Sequence, residues 1–192
     1  MFSISITQII GAFLALFAII DILGSVPIIL GLQQRGEEIK PLRTTLVSIV
    51  IFVAFLFAGD LILRLFSVDT QSFAVAGSLV LFIMALEMIL GIDIIRYNGP
   101  KGSSSVVPLA FPLVAGPGSI TAILSMRAEY DMINILIALI LNIVWVYVVL
   151  KSTKKIHQFI GEGAVYIMRK FFGIILLAMS VKLFASNISS LL

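Results

Sequence analysis

The residues of this sequence that could bind or transform a ligand fall in two short clusters. The first is Asp21-Ile22-Leu23-Gly24-Ser25, in which a carboxylate precedes a glycine and a hydroxyl. The second is Ala115-Gly116-Pro117-Gly118-Ser119-Ile120-Thr121, in which two hydroxyls follow a Gly-Pro-Gly run. A carboxylate, hydroxyls and glycine backbone hold a small polar ligand by charge and hydrogen bonds. We therefore expect a binding site at these clusters and no reaction centre.

Groups that catalyse reactions or bind metals are absent from the sequence pattern. The chain has a single histidine, His157, and no cysteine, which excludes thiolate ligands and thiol chemistry. It has no Ser/His/Asp set, no cluster with metal-ligand spacing and no glycine-rich phosphate loop. We expect no enzyme activity, no cofactor, no metal site and no nucleotide partner.

The composition places both clusters in a membrane. Of the 192 residues 60% are apolar and only 12% are charged, and the mean hydropathy is +1.18. Soluble domains have about 25% charged residues, and a folded chain of this size keeps roughly a third of its surface in solvent. So much apolar surface needs the lipid bilayer as a partner. The net charge of +3 then belongs to the connections between spans, and we expect no nucleic acid partner.

The apolar stretches predict six membrane-spanning helices, because one crossing needs about 20 apolar residues. Polar breaks separate these stretches, among them 33–41 (QQRGEEIKP) and the longest, 151–163 (KSTKKIHQFIGEG). The expected fold class is an all-α integral membrane protein with six transmembrane helices. The predicted spans cover residues 6–31, 42–65, 72–94, 106–126, 132–150 and 168–187.

Lysine and arginine are unequally divided between the two ends of these spans. Basic residues favour the cytoplasmic side, so the larger group marks the connections 1–2, 3–4 and 5–6 as cytoplasmic. We expect a cell (inner or plasma) membrane protein with both termini outside, in the periplasm or the extracellular space. The larger group is Arg35, Lys40, Arg43, Arg96, Lys101, Lys151, Lys154, Lys155, Arg169 and Lys170, and the smaller is Arg64, Arg127 and Lys182.

Three spans before the Gly/Ser-rich stretch and three after it predict two halves of opposite orientation. Because each half crosses the membrane an odd number of times, the second half enters from the other side, and a repeat must be inverted. We expect one membrane domain with an N-terminal three-helix repeat (1–95), a cytoplasmic linker (96–105) and a C-terminal three-helix repeat (106–192).

The first span of each half contains helix-breaking residues near its middle. Pro27 and Pro117 have no N–H to donate to the carbonyl four residues earlier. The run 116–118 (GPG) costs roughly 5 kcal/mol in a straight helix. We expect helices 1 and 4 to be broken near the bilayer midplane, with second half-helices that begin near Ser25 and Ser119. The helix-breaking residues are Gly24, Pro27, Pro112, Gly116, Pro117 and Gly118.

We expect the two breaks, which lie at the same depth, to form one pocket for a ligand that carries a positive and a negative charge. Half-helix N-termini offer N–H donors to a carboxylate, and freed carbonyls with Asp21 offer acceptors to an ammonium group or cation. Because intramembrane carboxylates are costly, Asp21 and Glu87 are the coupling-ion candidates. Alternatively, Asp21 caps the opened backbone or bonds a neighbouring helix, and the prolines are ordinary kinks. The predicted substrate-binding residues are Asp21, Leu23, Gly24, Ser25, Leu113, Ala115, Gly116, Pro117, Gly118, Ser119 and Thr121.

Other polar residues in the spans suit structural roles. Asp60 and Arg64 have the spacing of an ion pair on one helix face, and Asp93 has the spacing to pair with Arg96. Asn142 suits a hydrogen bond between helices. We expect these residues to hold the helices together without contacting a ligand.

Three stretches resemble the MarC family of bacterial and archaeal inner-membrane proteins: PLAFPLVAGPGSIT (108–121), FAVAGSLVLFIMALEMILG (73–91) and IGEGAVYIMRKFFGIILLAMSVKLF (160–184). The most specific element is Ala115-Gly116-Pro117-Gly118, preceded by Phe111-Pro112. In span 1 the family commonly has Asp-Pro-x-Gly-Asn, whereas this chain has Ile22 and Ser25 in place of the proline and the asparagine. The family includes transporters of the SnatA type, so the resemblance implies proton-coupled transport of glycine, alanine and similar amino acids.

The expected function is a secondary active transporter of small neutral amino acids that binds the zwitterion between helices 1 and 4. Alternating access comes from rocking of one repeat against the other. Two alternatives stay open: an exporter of another small metabolite or ion, and a non-transporting membrane protein that assembles with a partner. The oligomeric state and the direction of transport stay open as well.

Overall fold

A computed structural model of the chain describes residues 4–34, 36–92, 94, 103–159 and 162–189. Within these ranges the fold is helical and has no strand, which confirms the predicted all-α fold class. Residues 96–102 of the predicted linker lie outside the described residues, as do Asp93 and Arg96 and therefore their predicted pair. The division into two repeats stays a prediction.

Seven α-helices and two irregular helical segments follow one another along the described chain. Ser103–Ser105 forms a 3₁₀ turn that leads into Val106–Val114, a wide π-type segment called the 106–114 segment below. The α-helices are α1 (Ile6–Ile20), α2 (Ile22–Gln34), α3 (Pro41–Leu65), α4 (Thr70–Leu90), α5 (Pro117–Met126), α6 (Met132–Phe159) and α7 (Glu162–Ile188).

Five stretches of the described chain are long and apolar enough to cross a membrane. Helices α1 and α2 together form the first of them, Ile6–Gln34. The 106–114 segment and α5 form a further candidate, in which the two helical pieces meet at a bend of 40°. The described chain therefore has five candidate spans, or six when the bent pair counts as one. The other four are Pro41–Leu65, Thr70–Leu90, Met132–Thr153 and Gly163–Ile188.

The bent pair runs alongside most of α3. At one end the Ser105 hydroxyl accepts from the backbone N–H of Lys40 at 2.8 Å, immediately before α3 begins. At the other end Arg127, which ends α5, donates to the Asp60 carboxylate at 3.2 Å. The α3 backbone rises about 30 Å between Lys40 and Asp60, which is the hydrocarbon thickness of a typical bilayer. The bent pair therefore has the reach of a full crossing.

The most extensive helix contacts pair elements that are far apart in sequence. Helix α4 has its largest interface with α7, and α1 has its largest interface with α6. Gly173 of α7 packs so closely on α4 that a Cβ atom there would lie 3.0 Å from Met88 and Ile89. Asn142 of α6 donates to the Phe13 carbonyl of α1 at 3.2 Å. This bond confirms the predicted role of Asn142 between helices.

The centre of the bundle is filled by large apolar side chains. Since cores of this kind are close-packed, the surrounding helices hold fixed positions around the two clusters identified in the sequence. The fully buried members of this core include Leu16, Ile29, Leu30, Phe52, Leu56, Leu109, Ile120, Ile135 and Leu139.

Side chains cap both ends of α4. Asp69 precedes the helix, and its carboxylate accepts from the backbone N–H of Ser72. This hydrogen bond lowers the pKa of Asp69 below its ordinary value of 3.8. At the other end Gly91 has a φ of 74°, and the Lys170 amino group donates to the Ile89 carbonyl. The caps fix where α4 begins and ends.

The polar connection 151–163 separates two candidate spans, Met132–Thr153 and Gly163–Ile188, as predicted. Its described residues are nevertheless largely helical, because α6 continues to Phe159 and α7 begins at Glu162. Hydropathy marks only the apolar part of a helix, whereas Lys and Gln propagate it further. The predicted pair of Asp60 with Arg64 is wrong, because Asp60 pairs with Arg127. The Arg127 side chain is only 23% exposed, so its partly desolvated charge gains more from a partner than that of the exposed Arg64.

Candidate functional site

The break between α1 and α2 is one residue wide. Asp21 ends α1 with φ 39° and ψ 54°, a left-handed conformation that aspartate adopts more readily than most residues. Helix α2 begins directly afterwards, at Ile22. The predicted half-helix start near Ser25 is therefore wrong, since Gly24 and Pro27 lie inside α2.

The side chain and carbonyl of Asp21 explain the early start of α2. Oδ1 accepts from the Gly24 N–H at 3.1 Å. The Asp21 carbonyl accepts from the N–H and from the hydroxyl of Ser25, at 3.1 and 3.2 Å. Asp21 thus caps the first turn of α2 while its own N–H, bonded to the Phe17 carbonyl, closes the last turn of α1. The capping role is confirmed, and Oδ2 makes none of the described hydrogen bonds.

Gly24 leaves the space that this cap requires. A Cβ atom at position 24 would lie 2.2 Å from Oδ2 and 2.8 Å from Cγ of Asp21. Any other residue at this position has to displace the carboxylate. The glycine therefore sets where the charge of Asp21 lies.

The second break lies between the 106–114 segment and α5. Val107 and Phe111 each precede a proline and have extended backbone, because proline disfavours a helical conformation of the residue before it. Gly116 is extended as well, with φ −91° and ψ 173°, and α5 begins at Pro117. The predicted start near Ser119 is therefore two residues late, since Pro117 itself suits the first position of a helix.

Ser119 holds the second break together. Its Oγ accepts from the Gly116 N–H at 3.1 Å, and its one hydroxyl hydrogen is shared between the carbonyl oxygens of Val114 and Gly116, both at 3.0 Å. Gly116 has no side chain to cap the first turn of α5, and Pro117 has no N–H. The N–H groups of Gly118 and Ser119 are consequently the first donors of α5, without a side-chain cap.

A cavity of about 60 Å³ lies between the two breaks, and we call it the central cavity. Its polar wall is formed by Asp21, Ser25 and Ser119, and most of the remaining wall is apolar. Its volume exceeds the ~10–15 Å³ that one water molecule requires. It is far below the ~300–1,000 Å³ of sites for drug-sized ligands. The cavity therefore suits a small ligand with at least one polar end.

The central cavity brings together most of the residues predicted to bind substrate. The helix-breaking Pro112 lines it too, whereas Pro27 is buried within α2. The predicted binding residues in its lining are Asp21, Gly24, Ser25, Leu113, Gly116, Gly118 and Ser119.

Four predicted binding residues lie outside this lining. Leu23 is 49% exposed, and Ala115 is fully buried. The Thr121 hydroxyl donates to the carbonyl three residues earlier in α5, at 3.0 Å. Pro117 is seated on α4, where a Cβ atom at Gly77 would lie 1.7 Å from the proline Cγ. None of these four residues lines the central cavity, and three of them, Ala115, Pro117 and Thr121, lie at the second break.

Helix α7 supplies a wall of the central cavity that the sequence pattern did not predict. Its lining residues have the spacing i, i+3, i+4 and i+7 of a single helix face. That spacing is the signal that could have found them, but it does not stand out within the apolar stretch 171–179. The α7 residues are Phe172, Ile175, Leu176 and Met179, and the other missed lining residues are Ile19, Ile20, Ile28 and Leu81.

Glu87, the second coupling-ion candidate, lies outside the central cavity. It is 9% exposed and lines a separate cavity of about 40 Å³. Of the two candidates, the structure places only Asp21 beside the second break.

Comparison with known proteins agrees with the motif at the second break and with the helical fold. Residues 6–192 match the model of a family described as MarC family integral membrane protein. The chain belongs to the MarC family. Membership of MarC, together with five or six candidate spans, makes it an integral multi-pass membrane protein, as its composition predicts.

Other MarC-like proteins align with nearly the whole chain. A UPF0056 membrane protein of Aquifex aeolicus (strain VF5) is 29% identical over 94% of this chain and 92% of its own length. The UPF0056 inner membrane protein YhgN of Escherichia coli (strain K12) is 30% identical over 94% of this chain and 96% of its own. A UPF0056 membrane protein of Pyrococcus abyssi is 31% identical over 92% of each chain. No solved structure matches this chain.

Proposed function

We propose that this MarC protein is a secondary active transporter of small neutral amino acids such as glycine and alanine. It binds the zwitterion in the central cavity and carries it across the membrane by alternating access. It does so as a six-span 3+3 inverted repeat with both termini outside. One observation carries the proposal: the cavity has an uncapped helix N-terminus at one wall and a carboxylate at another.

The substrate carboxylate binds at the start of α5. The N–H groups of Gly118 and Ser119 are the donors, and the α5 dipole adds about half a positive charge. A Cβ atom at Gly118 would come no closer than 3.6 Å to its neighbours. The glycine therefore leaves the approach to the backbone open, although the fold has room for a small side chain there.

The substrate ammonium group binds to Asp21. Oδ1 of this carboxylate is engaged with the Gly24 N–H, which leaves Oδ2 as an acceptor for a cation. The N-terminus of α2 is thus occupied by the protein's own carboxylate. The sequence predicts that two helix N-termini bind the substrate carboxylate, and we now propose the N-terminus of α5 alone for this role.

The rest of the central cavity sets the size and charge of the substrate side chain. An apolar wall is formed by Phe172, Ile175 and Met179. The hydrogen of glycine or the methyl group of alanine packs against this wall without burying a polar group. A charged side chain would be buried there without a partner, at a cost of several kcal/mol. Small neutral amino acids are therefore favoured over acidic and basic ones.

Proton coupling is assigned to Asp21, with Glu87 as the alternative. Protonation of Asp21 removes the negative charge that binds the ammonium group, so proton uptake promotes substrate release. Glu87 is separated from the substrate in the present conformation and can act only when the path between the cavities opens.

Uptake into proteoliposomes tests the proposal. Purified protein is expected to take up labelled glycine or alanine faster than empty vesicles, and Gly118→Leu is expected to abolish uptake by filling the central cavity. Gly163→Leu is the matched control, because a side chain at Gly163 meets nothing within 4 Å. Uptake no better than that of empty vesicles, across a panel of neutral amino acids, refutes the proposal. Uptake of organic acids or cations alone supports an exporter of another small molecule instead.

A further inference from the structure

The cavity lined by Glu87 lies directly beside the central cavity. It has a volume of about 40 Å³, and Arg169 of α7 also lines it. Ile28 is the residue that the two linings share, and its side chain is half-buried. We call this second space the Glu87 cavity.

The same four elements line both cavities in succession. Helix α4 contributes Leu81 to the central cavity and Met84 to the Glu87 cavity, and the 106–114 segment contributes Pro112 and then Pro108. Helices α2 and α7 likewise continue from one lining to the next. Each step is three or four residues, which is about one helical turn. The two cavities are therefore neighbours along the same four elements, with Ile28 in both linings.

The Glu87 cavity contains one charged group of each sign in an otherwise apolar wall. The Arg169 side chain lies against Gly31 of α2, where a Cβ atom would be 3.3 Å from its Nε. A guanidinium binds a carboxylate through paired hydrogen bonds, and a carboxylate binds an ammonium group. The two side chains thus match both ends of an amino acid zwitterion.

We infer that the Glu87 cavity is a transit site for the substrate zwitterion. The substrate occupies it between the central cavity and the membrane face at the α2–α3 connection. Arg169 binds its carboxylate, Glu87 binds its ammonium group, and Ile28 is the movable partition. The inference rests on the proposed transport function and adds to it a second binding site with its own residues.

The spacing along α2 explains why a second charged site is useful. Leu32, which lines the Glu87 cavity, is about 10 Å beyond Ser25 along the helix. A zwitterion that left Asp21 and the start of α5 through an apolar path would lose both charge partners inside the membrane. Glu87 and Arg169 replace these partners within two turns of α2.

A doubly neutral variant separates transit from binding. Glu87→Gln combined with Arg169→Gln keeps the net charge, keeps nearly the size of the Glu87 side chain and shortens the side chain at position 169. Its affinity for alanine at the central cavity, measured by titration calorimetry in detergent, is expected to stay within about threefold of wild type, because neither substituted residue lines that cavity. Its alanine uptake in proteoliposomes is expected to fall at least tenfold. Uptake within threefold of wild type overturns the inference.

A second measurement does not depend on the folding of that variant. The chain has no cysteine, so Met84→Cys carries the only thiol, and its uptake before modification shows that it is folded and active. Benzyl methanethiosulfonate is expected to block the Glu87 cavity and abolish uptake, and dithiothreitol is expected to restore it. Complete modification with unchanged uptake overturns the inference. A thiol that resists modification during transport also overturns it, because a transit site has to open to water.

Uptake by the wild-type protein separates failure of the proposed function from failure of the transit site. Wild-type alanine uptake no better than that of empty vesicles refutes the proposed function and this inference with it. Wild-type uptake that neither the double variant nor the thiol modification reduces refutes the transit site alone.

Discussion

Asp21 caps α2 in this structure and binds the substrate ammonium group in the proposed function, and the substitution Asp21→Asn separates the two roles. As a cap, the residue accepts a hydrogen bond from the Gly24 N–H through Oδ1 and adopts a left-handed backbone. Asparagine fills both structural requirements, since it caps helices as well as aspartate does and tolerates positive φ. We therefore expect the free energy of unfolding of Asp21→Asn to stay within about 0.5 kcal/mol of wild type.

Substrate binding is expected to respond differently, because it depends on the charge of Asp21. Hydrogen bonds to charged groups contribute about 1.5–3 kcal/mol. At 1.4 kcal/mol for each factor of ten, loss of the Asp21 charge raises the Kd for glycine or alanine roughly 10- to 150-fold. Asp21→Ala is the structural contrast: it loses the cap and places alanine at positive φ, so it is expected to lower stability by about 2–3 kcal/mol.

Two assays on the same preparations test this separation. Thermal unfolding in detergent measures stability, and titration calorimetry with alanine measures affinity. Asp60→Asn is the control, because it removes a carboxylate that lies outside the central cavity. An Asp21→Asn protein that binds alanine as tightly as wild type refutes the reasoning. Asp21 would then be a helix cap and nothing more.

Three further predictions concern stability. Gly77→Ala is expected to lower the free energy of unfolding by about 1–3 kcal/mol through overpacking, because its Cβ atom would lie 1.7 Å from Pro117 Cγ. Gly118→Ala is the control: its Cβ atom has its nearest contact at 3.6 Å, so it should change the free energy of unfolding by less than about 0.5 kcal/mol. The pKa of Asp69 is lowered in the folded protein, so its contribution to stability is present above the ordinary pKa of 3.8 and is lost as the pH falls through the folded-state value. Asp69→Asn should therefore flatten the acid side of a plot of melting temperature against pH. An unchanged plot contradicts this prediction. Lys170→Met should lower stability by about 0.3–1 kcal/mol, because it removes a cation from the C-terminal turn of α4, and a stability equal to wild type contradicts it.

The positions of the spans were predictable because hydropathy measures the length of an apolar stretch directly. Predicted span 42–65 differs by one residue from α3 (Pro41–Leu65), and predicted span 72–94 overlaps α4 (Thr70–Leu90). Helix ends in polar sequence were less predictable, as the extension of α6 to Phe159 shows. There the chain keeps helical hydrogen bonds although it is no longer apolar.

The site was predictable in its residues more than in its geometry. The Gly-Pro-Gly run indicated a break, and Gly116 and Pro117 lie at one. In the first span, Gly24 and Pro27 suggested a break that the structure has at Asp21, because the carboxylate caps α2 from one turn earlier. The lining from α7 depends on packing between elements distant in sequence, which a local pattern does not contain. The pairing of Asp60 with Arg127 was missed for the same reason.

The pairing of α4 with α7 and of α1 with α6 determines which parts of this protein can move as bodies. Each pair joins one helix from before the 96–105 stretch to one from after it. Asp21 ends α1, which packs on α6, whereas Pro117 seats the start of α5 on α4, which packs on α7. In the proposed transporter, the groups that bind the two ends of the zwitterion are therefore attached to different helix pairs, and a shift between these pairs would separate them.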